Sequence, residues 1–262
     1  MDISTLRIVA FAAACATAFP AQALQSCRAA SGPQALPLVE LYTSEGCDSC
    51  PPADRWLAKQ FPAAATDARA LALAFHVDYW DRLGWADRFA SPAYTERQYA
   101  SMRANAATFV YTPQVLLQGH DLRGWADADA AVQRAARATA RASITLDAAP
   151  SGNAVAVTVD AAITDAAARG DVQLLVAYAD SGLQSDVGAG ENRGKRLSHD
   201  HVVRALQSAA EGADANDRIH ATFRFERPRE AGVAPTLVAF VQRRSTGDIL
   251  QAVAVPLAGC GG

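Results

Sequence analysis

The sequence predicts an α/β domain followed by an all-β sandwich domain. Three observations predict it: apolar runs alternating with helical segments up to about residue 142, an almost unbroken series of strand-like segments after it, and turn residues between those segments. The α/β domain is expected at residues 36–142 and the sandwich at 143–257.

The chain opens with MDISTLRIVAFAAACATAFPAQA, in which Arg7 precedes an apolar run from Ile8 to Phe19 and then Ala21-Gln22-Ala23. A short apolar core followed by A-x-A predicts that residues 1–23 are a secretory signal peptide cleaved after Ala23. Asp2 weakens the basic flank, which leaves a retained anchor as the alternative. The run is too short to span a bilayer, and no later segment reaches that length, so the expected location is periplasmic or secreted with no membrane span.

After a Gly/Pro-containing leader, LPLVELYT reads as a buried strand. Pro51 and Pro52 suit only the first turn of a helix, so a helix is expected from about Cys50 through ADRWLAKQF. ALALAFHVDYW is the next strand. A charged, aromatic loop follows, and SPAYTERQYASMRANA is a helix with Ser91 as its cap and Pro92 in its first turn. TPQVLLQGHDLRG supplies two short strands around Gly119-His120-Asp121, and DADAAVQRAARATARA is an Ala/Arg helix. From Ser143 onward SITLDA, NAVAVTVDAA, DVQLLVAYAD, RIHATFRFER, TLVAFVQRR and ILQAVAVPL all read as strands of a sandwich. HDHVVRALQSAA is the one segment there open to a helical reading. GWAD occurs at Gly84 and again at Gly124, but the surroundings differ and no repeat is inferred.

Half of the 262 residues are hydrophobic, which suits a packed globular protein, and the net charge is −3. That near-balance, without a basic stripe, argues against a nucleic-acid partner. Beyond Ala23 stand Cys27, Cys47, Cys50 and Cys260, an even set that allows three pairings in an exported chain. The simplest is Cys27 with Cys260 and Cys47 with Cys50. In a competing reading LQSC is a lipoprotein box and Cys27 is acylated, which would leave Cys260 unpaired.

Cys47 and Cys50 lie three apart at a strand-to-helix junction, where they can close a ring or open to a dithiol with little backbone motion. The helix terminus stabilises a thiolate, the nucleophilic form. Cys47, nearer the N-terminus and expected to be more exposed, would attack; Cys50 would resolve the mixed disulfide. A structural bridge and half a zinc site are the rival readings. Without a second C-x-x-C, zinc is disfavoured, and a bridge across two residues constrains little of the unfolded chain. Pro113 stands at the start of QVLLQG, where proline is awkward unless its bond is cis or its position is an edge. In this topology Thr112-Pro113 should come beside the thiols.

VELYTSEGCDSCPPAD, AFHVDYWDRLGWADRFASP, YTPQV and ENRGKRLSHDHVVRAL resemble a family of secreted bacterial proteins known as domain of unknown function 1223, over about Val39 to Leu206. The resemblance implies that the first domain is thioredoxin-like. It places Cys47 and Cys50 at the dithiol and Thr112-Pro113 at the cis-proline dipeptide of that fold. Gly46 stands where thioredoxins carry tryptophan, and Asp48-Ser49 where they carry Gly-Pro. Asp48 and Glu45 would oppose a neighbouring thiolate.

The expected activity is extracytoplasmic thiol–disulfide exchange, with a protein or small thiol/disulfide as partner and no cofactor. His76 and Asp78 share one side of a strand end and are candidate proton acceptors. His76 with both cysteines also suits copper(I), which makes a copper-handling module the main rival. A third reading is a non-catalytic envelope-binding protein with a structural bridge. His199 and His201 share a side if extended, and are read as surface positions. VGAGENRG lacks the strand-loop-helix context of a phosphate loop. Trp80, Trp85, Phe89 and Tyr94 are assigned to core packing or to a cap over the thiols.

Overall fold

The computed structural model describes residues 27–63, 69–258 and 260; the expected signal peptide and its cleavage site after Ala23 lie outside them. The first half contributes β1 (Cys27–Ala30), β2 (Leu38–Thr43), α1 (Pro51–Gln60), β3 (Leu71–His76), α2 (Pro92–Ala104), β4 (Gln114–Leu117), β5 (His120–Asp121) and α3 (Asp129–Ala136). The second half is strand throughout: β6 (Ala142–Ser151), β7 (Ala154–Ile163), β8 (Val172–Asp180), β9 (Leu183–Asp186), β10 (Arg196–His199), β11 (Val202–Ser208), β12 (Arg218–Glu226), β13 (Thr236–Arg243) and β14 (Ile249–Pro256), with short 3₁₀ turns besides. Pro51 opens α1, and Ser91 caps α2 by accepting the Ala93 N–H. The segment VVRALQS, which a helix could have claimed, is β11.

The expectation of an α/β thioredoxin-like domain followed by a separate all-β sandwich is corrected. One eight-stranded sheet, in the order β14-β13-β8-β11-β3-β2-β4-β5, runs through both halves. Among the described residues strand outweighs helix, 41% against 18%, and the fold is mainly β-sandwich-like. The joint is the parallel pairing of β11 with β3, at Val202 and Ala74, where the Ala74 N–H also donates to the His201 carbonyl at 2.8 Å. The physical reason is the edge of β3: an unpaired edge leaves a row of donors and acceptors open, and β11 fills it. Pairing between strands so distant in sequence has no local signature.

A second, antiparallel sheet, β1-β6-β7-β12, packs on the β8, β13 and β14 end of the first. Strand β8 serves two cores at once. Leu174, Val176 and Tyr178 enter the core between the sheets, while Leu175, Ala177 and Ala179 face the opposite side with Leu38, Tyr42, Phe75 and Phe240. Strands β2 and β3 are likewise buried on both faces, because Val39, Leu41, Ala72 and Ala74 pack on Leu57 of α1 and Val132 of α3. A strand covered on both sides reads as a continuous apolar run, which is why LVELYT shows no alternation. The Cys27–Cys260 disulfide ties β1 to the segment after β14, with Cα atoms 5.6 Å apart.

The same continuous sheet holds a buried ion pair. Arg97 of α2 donates from Nε to Glu40 Oε2 at 2.8 Å and from Nη1 to Gln242 Oε1 at 3.2 Å, and its guanidinium lies 5.3 Å from the Phe75 ring and 5.2 Å from the Phe240 ring. Its contacts therefore reach β2, β3 and β13. With side-chain exposures of 8% and 0%, neither charge has much water to fall back on. Arg97→Met should cost about 3–5 kcal/mol in urea unfolding, because it strands the Glu40 carboxylate, whereas Glu40→Met with Arg97→Met should recover most of that loss. Equal destabilisation by the single and double variants would show that packing, not the stranded charge, dominates.

Candidate functional site

The loop between β2 and α1 positions the cysteine pair. Cys47 and Cys50 are disulfide-bonded, their Cα atoms 5.4 Å apart, and Cys50 stands at the N-cap of α1. The Cys50 carbonyl accepts the Ala53 and Asp54 N–H groups, which starts the helix directly behind the bridge. Both cysteines are 0% exposed, which corrects the expectation of an accessible Cys47.

What covers them comes from the second half of the chain. The β9–β10 pair forms a hairpin whose tip, residues 187–195, lies over the cysteine loop. The buried Asn192 donates from Nδ2 to the carbonyls of Glu45 and Cys47, at 2.8 and 2.9 Å, and its Oδ1 accepts from Lys195 Nζ at 2.8 Å. Glu191 accepts the Asp48 N–H at 3.1 Å. Gly188 and Gly190 sit against Trp85, where an added Cβ would come within 3.1 and 3.3 Å of its side chain. Gly188 and Gly190 of VGAGENRG therefore serve close packing over the cysteine loop.

Thr112 and Pro113 are joined by a cis peptide bond just ahead of β4, whose Gln114 pairs with Tyr42 near the end of β2. Trp80 links this segment to the cysteine loop: its Nε1 donates to Thr112 Oγ1 at 2.8 Å, and its Cβ lies 3.1 Å from where a side chain on Gly46 would begin. The tryptophan that thioredoxins carry before the first cysteine has no room at Gly46.

Beside the bridge lies a buried cluster of ionisable groups. His76 Nδ1 meets Asp87 Oδ2 at 2.6 Å, and Asp87 also accepts the Glu45 and Phe89 N–H groups. Burial pushes the Asp87 carboxyl up, but the His76 charge and these hydrogen bonds outweigh it and hold the group below the usual carboxylate range. Burial likewise works against a charged His76, yet Asp87 prevails and raises the imidazole above its ordinary value. Glu45 accepts from Trp85 Nε1 at 2.7 Å, and its other oxygen lies 3.3 Å from His199 Nε2 without hydrogen-bond alignment. Its carboxyl is pushed up by burial and pulled further down by its contacts with His199, Ser185 and Trp85. The His76 and His199 rings stand edge to face at 5.1 Å, and Phe89 packs on both. Asp54 of α1 accepts from Thr43 Oγ1 at 3.2 Å; burial raises its carboxyl against the opposing charges of His76 and His199.

Of the residues singled out in the sequence, Cys47, Cys50, His76, Thr112 and Pro113 gather at this end of the sheet. Asp78 turns to α2 instead, accepting from Thr95 Oγ1 at 2.6 Å, so Asp87 is the carboxylate that His76 meets. His199 and His201 part company: His199 is buried in the cluster, while His201 adopts a left-handed backbone and its ring contacts the Phe61 carbonyl. Sequence reading missed Asp87, His199 and Asn192. The alternation of RLSH, with Leu197 and His199 inward, was the one available signal for His199. Of the four loop aromatics, Trp80 and Trp85 border the cysteine loop, Phe89 lines the histidines, and Tyr94 joins Phe75 in the core. Among the described residues no three His, Cys, Asp or Glu side chains converge as metal ligands. No helix among them is long and apolar enough to cross a membrane.

No curated protein matches the chain. Solved structures do, among them the following two. Protein AGR_C_4864 from Agrobacterium tumefaciens is 28% identical, with a TM-score of 0.55 over 85% of this chain and 95% of that one. HBP35 of Porphyromonas gingivalis reaches a TM-score of 0.58 over 85% of this chain and 75% of that one, at 15% identity, which speaks to the fold alone. Residues 38–242 match the family described as Protein of unknown function (DUF1223), and the chain belongs to that family.

Proposed function

We propose that this protein is an extracytoplasmic thiol–disulfide oxidoreductase whose working pair is Cys47 and Cys50. The observation that carries the reading is the position of the bridge: two cysteines three apart, the second capping α1, beside a buried cluster of histidines and carboxylates. The N-terminus of a helix favours the thiolate over the thiol. The Cys47 thiolate attacks a partner's disulfide, forming a bond to one partner sulfur and releasing the other as a thiolate. The Cys50 thiolate then attacks Cys47 Sγ, which closes the bridge and releases the second partner thiolate. The partner leaves reduced and the pair oxidised; the reverse sequence oxidises a dithiol partner. Pro113, which has no backbone N–H, and Thr112 border the edge along which the partner's chain would lie. Two disulfides in one chain support an oxidising compartment.

The burial of both cysteines beneath Asn192 favours a second reading, an inert structural bridge in an envelope-binding protein. The two readings differ in how the bridge meets a reductant. A working bridge equilibrates with mild dithiols, and an inert one resists them.

Cys50→Ala should trap mixed disulfides through Cys47 on exposure to periplasmic extract, and Cys47→Ala should trap few. Non-reducing gels followed by peptide mapping read the result. No trapped species from either variant, together with a bridge that dithiothreitol leaves intact, would establish the inert reading. Asn192→Ala removes two hydrogen bonds that hold the tip down, each worth about 1 kcal/mol, and should speed reduction of Cys47–Cys50 by roughly tenfold or more. An unchanged rate would mean that the tip does not limit access.

A further inference from the structure

Four buried polar atoms at one place have no hydrogen-bond partner: Glu45 Oε1, His76 Nε2, and both ring nitrogens of His199. Buried groups are normally satisfied, and a concentration of exceptions calls for an explanation. Their neighbours are fixed. Asp87 orients His76 through Nδ1, and Trp85 holds the other oxygen of Glu45. The free atoms of His76 and Glu45 thus belong to side chains whose other polar ends are anchored, whereas the His199 ring is held by packing against His76 and Phe89. Glu45 is two residues from Cys47, and Asp54 is one helical turn beyond Cys50 on the same side of α1.

Resting on the oxidoreductase reading, we infer that His199 and Glu45 complete, with His76, a proton relay that serves the covered Cys47–Cys50 bridge. The need for one follows from the balance of the reaction. Reduction by a dithiol breaks the Cys47–Cys50 bond, makes one disulfide in the reductant, and moves two electrons and two protons to the protein. Cys50 leaves first as a thiolate and Cys47 second, when the reductant's other thiolate displaces it from the mixed disulfide. Each thiolate then takes one proton, matching the two given up by the reductant's thiols. With both cysteines fully buried, the ionisable cluster beside the bridge offers those protons a route through side chains. His199 is a positioning residue in this scheme: it spans the gap between His76 and Glu45, and it comes from β10, outside the half that carries the cysteines.

The charged groups around His199 set the sign of the effect. Glu45 faces it from the cysteine loop, Asp54 from α1, and His76 with Asp87 from β3 and the loop after it. Because Asp87 raises the His76 imidazole above its ordinary value, the relay keeps its capacity to donate to higher pH than a free histidine would, and loses it as pH rises through the raised value.

The test is the rate at which dithiothreitol reduces the bridge in the full chain, measured from about pH 5 to 9, a range that brackets histidine titration. The reductant's own ionisation enters every rate equally, so the ratio of wild type to variant isolates the protein. His199→Gln should react about tenfold more slowly at the acid end, with the gap closing toward the alkaline end. Glu45→Gln should show the same trend and serves if the first variant fails to fold. A wild type that exchanges while both variants follow its pH profile unchanged would overturn the relay and leave the oxidoreductase reading standing. A wild type that does not exchange at any pH would overturn both.

Discussion

The splice of β11 onto β3 is the contact on which the rest of the molecule depends. It is short, one parallel pairing at Val202 and Ala74 with the Ala74 N–H bonded to the His201 carbonyl, yet it turns two sets of strands into a single sheet. The hairpin β9–β10 immediately precedes β11, so fixing β11 against β3 also fixes His199 beside His76 and lays the tip over the cysteine loop. Arg97 reinforces the same joint on the other face by reaching Glu40 in β2 and Gln242 in β13. Without the splice, the Cys47–Cys50 loop would lack its cover and its buried cluster would lack His199.

That cluster is tolerated because its charges are matched in pairs. An isolated buried carboxylate or imidazolium is strongly disfavoured, and partnering plus hydrogen bonding offsets the loss of water. Asp87 takes three donors, and Glu45 has the Trp85 N–H and the nearby His199 ring. The arrangement is incomplete only at the four unpartnered atoms. A fully satisfied network would be rigid and would hold its protons tightly; one left open at Glu45, His76 and His199 keeps donor and acceptor positions free, as the proposed relay would need.

The sequence made individual elements legible and concealed how they assemble. Pro51-Pro52 and Ser91-Pro92 mark the starts of α1 and α2 because proline and cap chemistry act within a few residues. The strands of the second half were visible because β6, β7 and β12 alternate on a half-buried sheet. The union of the halves was not visible, since the pairing partner of β3 lies more than a hundred residues away and leaves no periodic trace. The site divides in the same way. Cys47, Cys50 and Thr112-Pro113 announce themselves through spacing and backbone chemistry. His199, Asp87 and Asn192 carry no motif, because their neighbours are created by the fold.

The cover over the bridge bears on which reactions the pair could carry out. Two hydrogen bonds from Asn192, at about 1 kcal/mol each, amount to about 2 kcal/mol, or roughly a thirtyfold reduction in the open fraction. Such a barrier slows a small reductant without excluding it. A protein partner that binds with even micromolar affinity has about 8 kcal/mol of interaction energy, several times what lifting the tip requires. Under the proposed function the tip would therefore discriminate by binding energy: a partner able to use the surface beside Cys47 would open it readily, whereas a small thiol with little surface to contribute would meet it mostly closed. Gly188 and Gly190 fit this role, because their contact with Trp85 seats the tip closely while adding no side-chain bulk that would have to be pulled free.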